Sequence, residues 1–312
     1  MNAKEYRTAT EEYISVLPSM GATKATTRNK QVVCTLFADY FDQHDDEPIQ
    51  DAIRHWTTAL YDTGIAINSI RAYLESLRVF FHWCETRKLI NECPITHDMI
   101  PKAKPREYNL LTLDEIKMLL AEQKSHRKMT ARNRAIVLFI IGTGLRSEEL
   151  RSLRLSDVNM QNGIVTVRKG KGEKFRKVPL PDFAKKALDE YLVSGIRPTT
   201  LSDDDLLFGT CAEKEGGNAT TADWHEWSSS GLQRMVRSYV RGITGRDLIG
   251  PHDLRHAFAS IASYAGSSTR DISLSLGHAS EIITQQVYID VLDNERAAEN
   301  INVRLNGFVQ KP

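Results

Sequence analysis

Six side chains in the later part of this 312-residue sequence have the types and spacing to act on a phosphate ester. Arg146 stands in Gly142-Thr-Gly-Leu-Arg146-Ser-Glu-Glu149, and Lys171 in Lys169-Gly-Lys-Gly172. His252 and Arg255 share Pro251-His-Asp-Leu-Arg-His256, His278 follows Leu276-Gly277, and Tyr288 comes ten residues later. Two arginines offer planar forks of donors that match phosphate oxygens. Two histidines supply donors and proton transfer near neutral pH. A lysine on a hairpin tip can protonate a leaving oxygen. A tyrosine, with an unperturbed pKa of about 10, can attack once its proton is removed. No acidic cluster of the kind a two-metal phosphoryl site needs accompanies them. His252 and His256 are spaced like a metal pair, but position 253 is Asp and a third ligand is not evident. The set therefore suits metal-free, cofactor-free phosphoryl transfer through a phosphotyrosine.

Composition allows this chemistry and removes several others. With 41% hydrophobic and 26% charged residues the chain is globular, not disordered. The longest apolar run, Ala135 to Ile141, ends at Gly142, too short for a membrane span. The charged N-terminus does not read as a signal peptide, and four scattered cysteines suggest a reducing cytoplasm. The net charge of +1 hides a local excess. Residues 124–177 hold 14 Lys and Arg against 4 Asp and Glu, a basic cluster that suits a nucleic-acid backbone or a solvated face.

The elements that must position these groups are mostly helical. Residues 1–90 read as four helices. Thr8 with Glu11 is a candidate capping box for the first, and Ile70, Tyr73, Leu74, Leu77, Phe80, Phe81 and Cys84 form the strongest apolar stripe. Trp56, Trp83, Phe80 and Phe81 are core candidates. Pro94, Pro101 and Pro105 among basic residues mark a linker. Thr112-Leu-Asp-Glu115 is a second capping box. Two helical stretches over 131–155 break at Gly142-Thr-Gly144. Ile164–Arg168 and Lys174–Leu180 read as a hairpin with lysine at its tip. Helices follow at 182–192, 230–243, 253–264, 269–276 and 281–288, while 194–228 gives no pattern. The fold class is mainly α with a small antiparallel β-sheet.

Those motifs, in that order, make the sequence similar to the tyrosine recombinases of the phage integrase class, near the Xer and λ-integrase branch. The resemblance rests on GTGLRSEELRSLRLSDV, GKGEKFRKVPL, PHDLRHAFAS, and LGH followed by Tyr288. It is close over 107–290 and only a matter of pattern before that. It implies a helical core-binding domain over 1–100, a linker at 101–106, and an α+β catalytic domain over 107–312 with a C-terminal oligomerisation segment. It implies Arg146, Lys171, His252, Arg255, His278 and Tyr288 as catalytic. Glu149 and His256 support them, and Arg151, Arg154, Lys169 and Lys174 contact DNA. The tyrosine usually follows the later histidine by nine positions in this family, one fewer than here. Lys169 and Lys174 rival Lys171, and Tyr264, nine after Arg255, rivals Tyr288 but is expected in the core.

The implied activity is site-specific cleavage and rejoining of duplex DNA through a 3′-phosphotyrosyl bond, in integration, excision or resolution, as in mobile elements. The implied assembly is a homotetramer on two DNA sites, with a dimer per site, in the cytoplasm. Two alternatives stand beside it: a type IB topoisomerase-like relaxation, and a non-catalytic DNA-binding protein. Taken singly, each motif residue also has an ordinary structural reading. Arg146 reads as a surface charge, His278 as a helix end and Tyr288 as a core aromatic.

Overall fold

Asn2 sets where the chain first turns helical. Its side chain accepts from the Glu5 amide at 2.9 Å, and the Glu5 carboxylate accepts from the Asn2 amide at 2.9 Å. Helix α1 therefore spans Ala3–Val16, not a segment capped by Thr8 and Glu11. Thr8 instead turns its hydroxyl back to the Lys4 carbonyl. The earlier start puts Ala3, Tyr6, Ala9, Tyr13 and Leu17 into the core.

The computed structural model describes residues 1–104, 109–121, 128–168, 175–210 and 224–277, without side chains at 128–130. The chain divides into two compact units, Met1–Glu107 and Tyr108–Pro312. In the first, α1 is followed by α2 (Lys24–Phe41), α3 (Ile49–Asp62) and α4 (Ile67–Thr86). Tyr6 is its centre, with rings of Phe37, Phe41, Phe80 and Phe81 around it and its hydroxyl donating to the Cys34 carbonyl. Trp56 is buried with them, while Trp83 is only half-buried. Residues 101–104, within the expected linker, are hydrogen-bonded to α4. Arg71 donates to the Pro101 carbonyl, and Asn68 exchanges two hydrogen bonds with the Lys104 backbone.

The second unit winds around α6 (Lys128–Thr143). Every residue from Ala135 to Ile141 is buried, so this helix is apolar on all sides and must lie inside. It packs against α8 (Asp182–Val193) and α10 (Pro251–Tyr264), and also meets α9 (Ser229–Thr244). A three-stranded antiparallel sheet joins β1 (Val158–Asn159), β2 (Ile164–Val167) and β3 (Arg176–Pro179), with Val165 opposite Val178. Helix α11 (Thr269–Leu276) lies against β3. The stretch that gave no pattern holds β4 (Gly209–Thr210) and β5 (His225–Glu226), paired with each other. The helix expected at 281–288 and the hairpin tip lie outside the described residues. Among the described residues no helix is long and apolar enough to cross a membrane, and Cys34, Cys84 and Cys93 are free.

Helix α5 (Leu113–Leu120) opens on the expected capping box. Thr112 accepts from the Glu115 amide at 3.2 Å, and Glu115 accepts from the Thr112 amide at 2.8 Å. Thr112→Ala removes one half of this exchange. It is expected to cost about 1 kcal/mol, read as a lower denaturant midpoint at unchanged slope.

Candidate active site

The starts of two helices and the end of a third build the site. Helix α7 (Ser147–Arg151) starts directly after the turn at Gly144, which holds φ +64°. Glu149, in its first turn, accepts from the Arg146 amide at 2.8 Å. Helix α10 opens with proline, which suits a first helical position. Asp253 accepts from the Gly250 amide at 2.8 Å there. That start places His252 and Arg255 on one face, three residues apart. Helix α11 ends at Gly277 in the left-handed conformation, φ +62°.

The arginine forks meet at that helix end. Arg255, 3% exposed, donates from Nη1 to the Gly144 carbonyl and from Nη2 to the Leu276 carbonyl, both at 2.6 Å. Arg146 donates from Nη2 to the next carbonyl, Gly277, at 2.9 Å. It also donates from Nη1 to Glu149 Oε1 at 3.1 Å. About a third of the Arg146 side chain remains exposed, at 34%. The last carbonyls of a helix lack partners within it and carry the negative end of its dipole, so they attract cationic donors. His278 is the next residue in the chain after Gly277. It lies outside the described residues, as do Lys171 and Tyr288.

His252 is exposed and His256 buried, and their Nε2 atoms approach to 3.2 Å. Such a pair has one ring donating and the other accepting, so the protonation of His252 is coupled to that of His256. Among the described residues no group of three His, Cys, Asp or Glu is placed to hold a metal ion.

Glu149 is the buried anion of the site. Burial pushes its carboxyl up, but hydrogen bonds from Arg176 and the Arg146 amide, and then both guanidinium charges, outweigh this. The carboxyl is held below its ordinary value. Relative to the unfolded chain, the lowered folded value stabilises the charged form. That stabilisation is present above the unfolded carboxyl pKa and is lost as pH falls through the folded one.

Sequence reasoning passed over Arg176. It donates from Nη1 and Nη2 to the two Glu149 oxygens, each at 2.7 Å, and from Nε to the Ser275 carbonyl at 2.8 Å. Its only signal in sequence was a basic residue on the second hairpin strand.

The basic cluster is not one open face. Arg132 and Arg134 are buried, the latter paired with Glu190, and Arg168 pairs with Asp157. Arg151, expected on DNA, donates from Nε to the Trp227 carbonyl and pairs through Nη2 with the Glu226 carboxylate. Arg154 is exposed and lines a cleft of about 140 Å³ with Arg168, Asp157 and Glu149, while one of its donors engages the Asp204 carbonyl. Lys169 and Lys174 lie outside the described residues. Tyr264, expected in the core, is 55% exposed at the last turn of α10. Arg234 and Arg237 stand exposed on α9, which packs against α7 and α10, and were not singled out in sequence.

Comparison with known proteins settles the class. The profile of the phage integrase family matches residues 109–295, more than half of the chain. The chain belongs to the phage integrase family. Over 301 residues it is 31% identical to the tyrosine recombinase XerA of Pyrococcus furiosus, covering 95% of this chain and 94% of that one. Over 244 residues it is 30% identical to XerD of Halalkalibacterium halodurans, covering 78% and 77%. Among solved structures it is similar to a λ integrase dimer bound to a COC′ core site, with TM-score 0.68, 19% identity, and 90% and 94% coverage. It is also similar to the XerH recombinase bound to a palindromic difH substrate, with TM-score 0.69, 23% identity, and 91% and 81% coverage. These structural likenesses carry the fold, mainly helical with a small antiparallel sheet, as expected. The protein is a tyrosine recombinase, a site-specific recombinase, and the topoisomerase and binding-only alternatives are not favoured.

Proposed function

We propose that this recombinase binds double-stranded DNA at a specific site and exchanges strands through a 3′-phosphotyrosyl intermediate on Tyr288. The observation that carries the reading is the meeting of Arg146 and Arg255 on the consecutive carbonyls of Leu276 and Gly277, immediately before His278. The Tyr288 oxygen attacks the scissile phosphorus, and the bond to the 5′ oxygen breaks. Lys171 gives a proton to that leaving oxygen. Arg146, Arg255 and His278 donate to the non-bridging oxygens, where charge builds up. His252, backed by His256, moves the proton at the phosphate or the tyrosine. A 5′-hydroxyl then attacks the phosphotyrosine and releases the enzyme. One ester replaces another at each step, so neither ATP nor metal enters.

Residues 1–100 act as the core-binding domain and 107–312 as the catalytic domain. Phosphate contacts come from Lys169, Lys174, Arg151, Arg154, Arg234 and Arg237. The working assembly is a homotetramer on two sites, a dimer on each, in the cytoplasm.

The test begins with a duplex selected from a random-sequence pool by retention on the protein. It is resynthesised with a nick a few nucleotides 3′ of each candidate phosphate in turn, so that the short fragment bearing the freed 5′-hydroxyl diffuses away after attack. A covalent adduct is expected in chelator and without nucleotide, with the phosphate mapped by peptide mass to Tyr288. Absence of any adduct across the nicked set overturns the reading, and a phosphate on Tyr264 overturns the nucleophile.

A further inference from the structure

We propose that Arg176 is a positioning residue for strand cleavage: it clamps the Glu149 carboxylate to the last turn of α11 and so keeps the partly exposed Arg146 fork from closing two-pronged on that carboxylate. The inference rests on the reading of the site given above, and it concerns a side chain that touches no reacting atom.

Three consecutive carbonyls end α11, and three arginines from three different elements take one each. Arg176 on β3 takes Ser275 at 2.8 Å, Arg255 on α10 takes Leu276 at 2.6 Å, and Arg146 before α7 takes Gly277 at 2.9 Å. Arg176 is 12% exposed at its side chain and Glu149 4%. Gly277 closes over the clamp: a Cβ there would stand 3.2 Å from Arg176 Cδ and Nε. Helix end, strand and the first turn of α7 thus share a single guanidinium.

The division of labour at Glu149 gives the clamp its consequence. Oε1 accepts from Arg146 Nη1 at 3.1 Å and from Arg176 Nη1 at 2.7 Å. Oε2 accepts from the Arg146 amide at 2.8 Å and from Arg176 Nη2 at 2.7 Å. The tighter, two-pronged partner is Arg176, so the Arg146 guanidinium gives the carboxylate only one, longer bond. A buried carboxylate does not stay unpaired. Without Arg176, Glu149 draws Arg146 into the two-pronged geometry that guanidinium and carboxylate prefer. The fork that should face the phosphate then turns inward, and the Ser275 carbonyl loses its donor beside the peptide leading to His278. Lysine cannot replace Arg176, because one ammonium cannot bridge both carboxylate oxygens and a carbonyl across the strand.

Single-turnover cleavage of the selected, nicked duplex tests this with Arg176→Ala, Arg176→Lys, Glu149→Gln and the Arg176→Ala/Glu149→Gln pair, beside binding of the same duplex. The cleavage rate of both Arg176 variants is expected to fall roughly ten- to hundredfold, the range seen when a supporting partner of a reactive group is lost. Duplex affinity stays near wild type. The double variant is no slower than the slower single, since both changes break one unit. The acid limb of cleavage moves to higher pH in Arg176→Ala, because the strongest of the groups that lower the Glu149 carboxyl is gone and Arg146 replaces it only in part. The charges that remain around it are Arg146, and Arg154, Asp157 and Arg168 across the cleft. A merely structural arginine would not move that limb. Where Arg176→Ala does not fold, Arg176→Lys carries the measurement. Wild-type rates in the Arg176 variants, an unmoved acid limb, or multiplying losses in the double variant overturn the inference while the recombinase reading stands. A wild-type protein that forms no adduct removes both.

Discussion

Arg255→Ala is expected to slow covalent cleavage of the selected duplex by about 100- to 1000-fold, or roughly 3–4 kcal/mol of barrier, the loss found when one preorganised donor is taken from a charge-stabilising site. Two effects add in the same direction. The first is the missing guanidinium at a phosphate whose charge grows as Tyr288 attacks. The second is local. At 3% exposure Arg255 is the donor for both the Gly144 and Leu276 carbonyls, so its removal leaves two buried acceptors open, each worth about 1–3 kcal/mol. Those carbonyls belong to the turn before Arg146 and to the end of α11 before His278, so three parts of the site loosen together. Arg255→Lys is expected to recover little, because a single ammonium cannot span two carbonyls as a fork does. Adduct formation under single turnover, with duplex affinity measured alongside, reads the effect. A fall smaller than tenfold would show that the buried fork is a structural staple and that the phosphate is held elsewhere.

The turn before Arg146 and the helix starts that carry Glu149, His252 and Arg255 were legible because each sits in a short local pattern. Gly-Thr-Gly-Leu-Arg and Pro-His-Asp-Leu-Arg specify a turn and a helix start within a few residues, and the fold builds them as such. What escaped the sequence were relations between distant stretches. Arg176 gains its meaning only when α11 packs on β3 and brings Ser275, 99 positions away, to its Nε. The basic cluster looked like a face because a window counts charges without their partners. Glu190 and Glu226, which hold Arg134 and Arg151, lie outside that window.

Other misses were ties that local pattern could not break. Asn2 with Glu5 and Thr8 with Glu11 obey the same capping rule, and only the burial of Ala3 and Tyr6 decides for the first. Tyr264 fits an apolar helix face on spacing, but it is the last residue of α10 and is 55% exposed. The pairing of β4 with β5 joins two-residue strands, too short for any alternation to announce them. Site chemistry was thus read from side-chain type, whereas the wiring that holds it needed the packed chain.

That wiring is most exposed to challenge at Gly144. Gly144→Ala is expected to destabilise the second unit by roughly 2–5 kcal/mol, since a left-handed backbone costs an L-residue about 1–2 and overpacking a further 1–3. The turn holds φ +64°, and a Cβ would stand 2.6 Å from Phe258 Cδ1 and 2.9 Å from Leu276 Cδ2. Neither neighbour can retreat freely. Phe258 follows Arg255 by three residues on α10, and both Phe258 and Leu276 are buried in the small cluster that seats α11. Gly195→Ala supplies the comparison, because Gly195 has a similar φ of +71° but open space around it. It should show only the backbone cost. Denaturant midpoints of the two variants therefore separate strain from collision. If Gly144→Ala unfolds no earlier than Gly195→Ala, the turn, the aromatic ring and the helix end are not packed as tightly as the Arg255 clasp requires. If it unfolds earlier and also loses cleavage in conditions where it is still folded, the same contacts that stabilise the unit also set its active geometry.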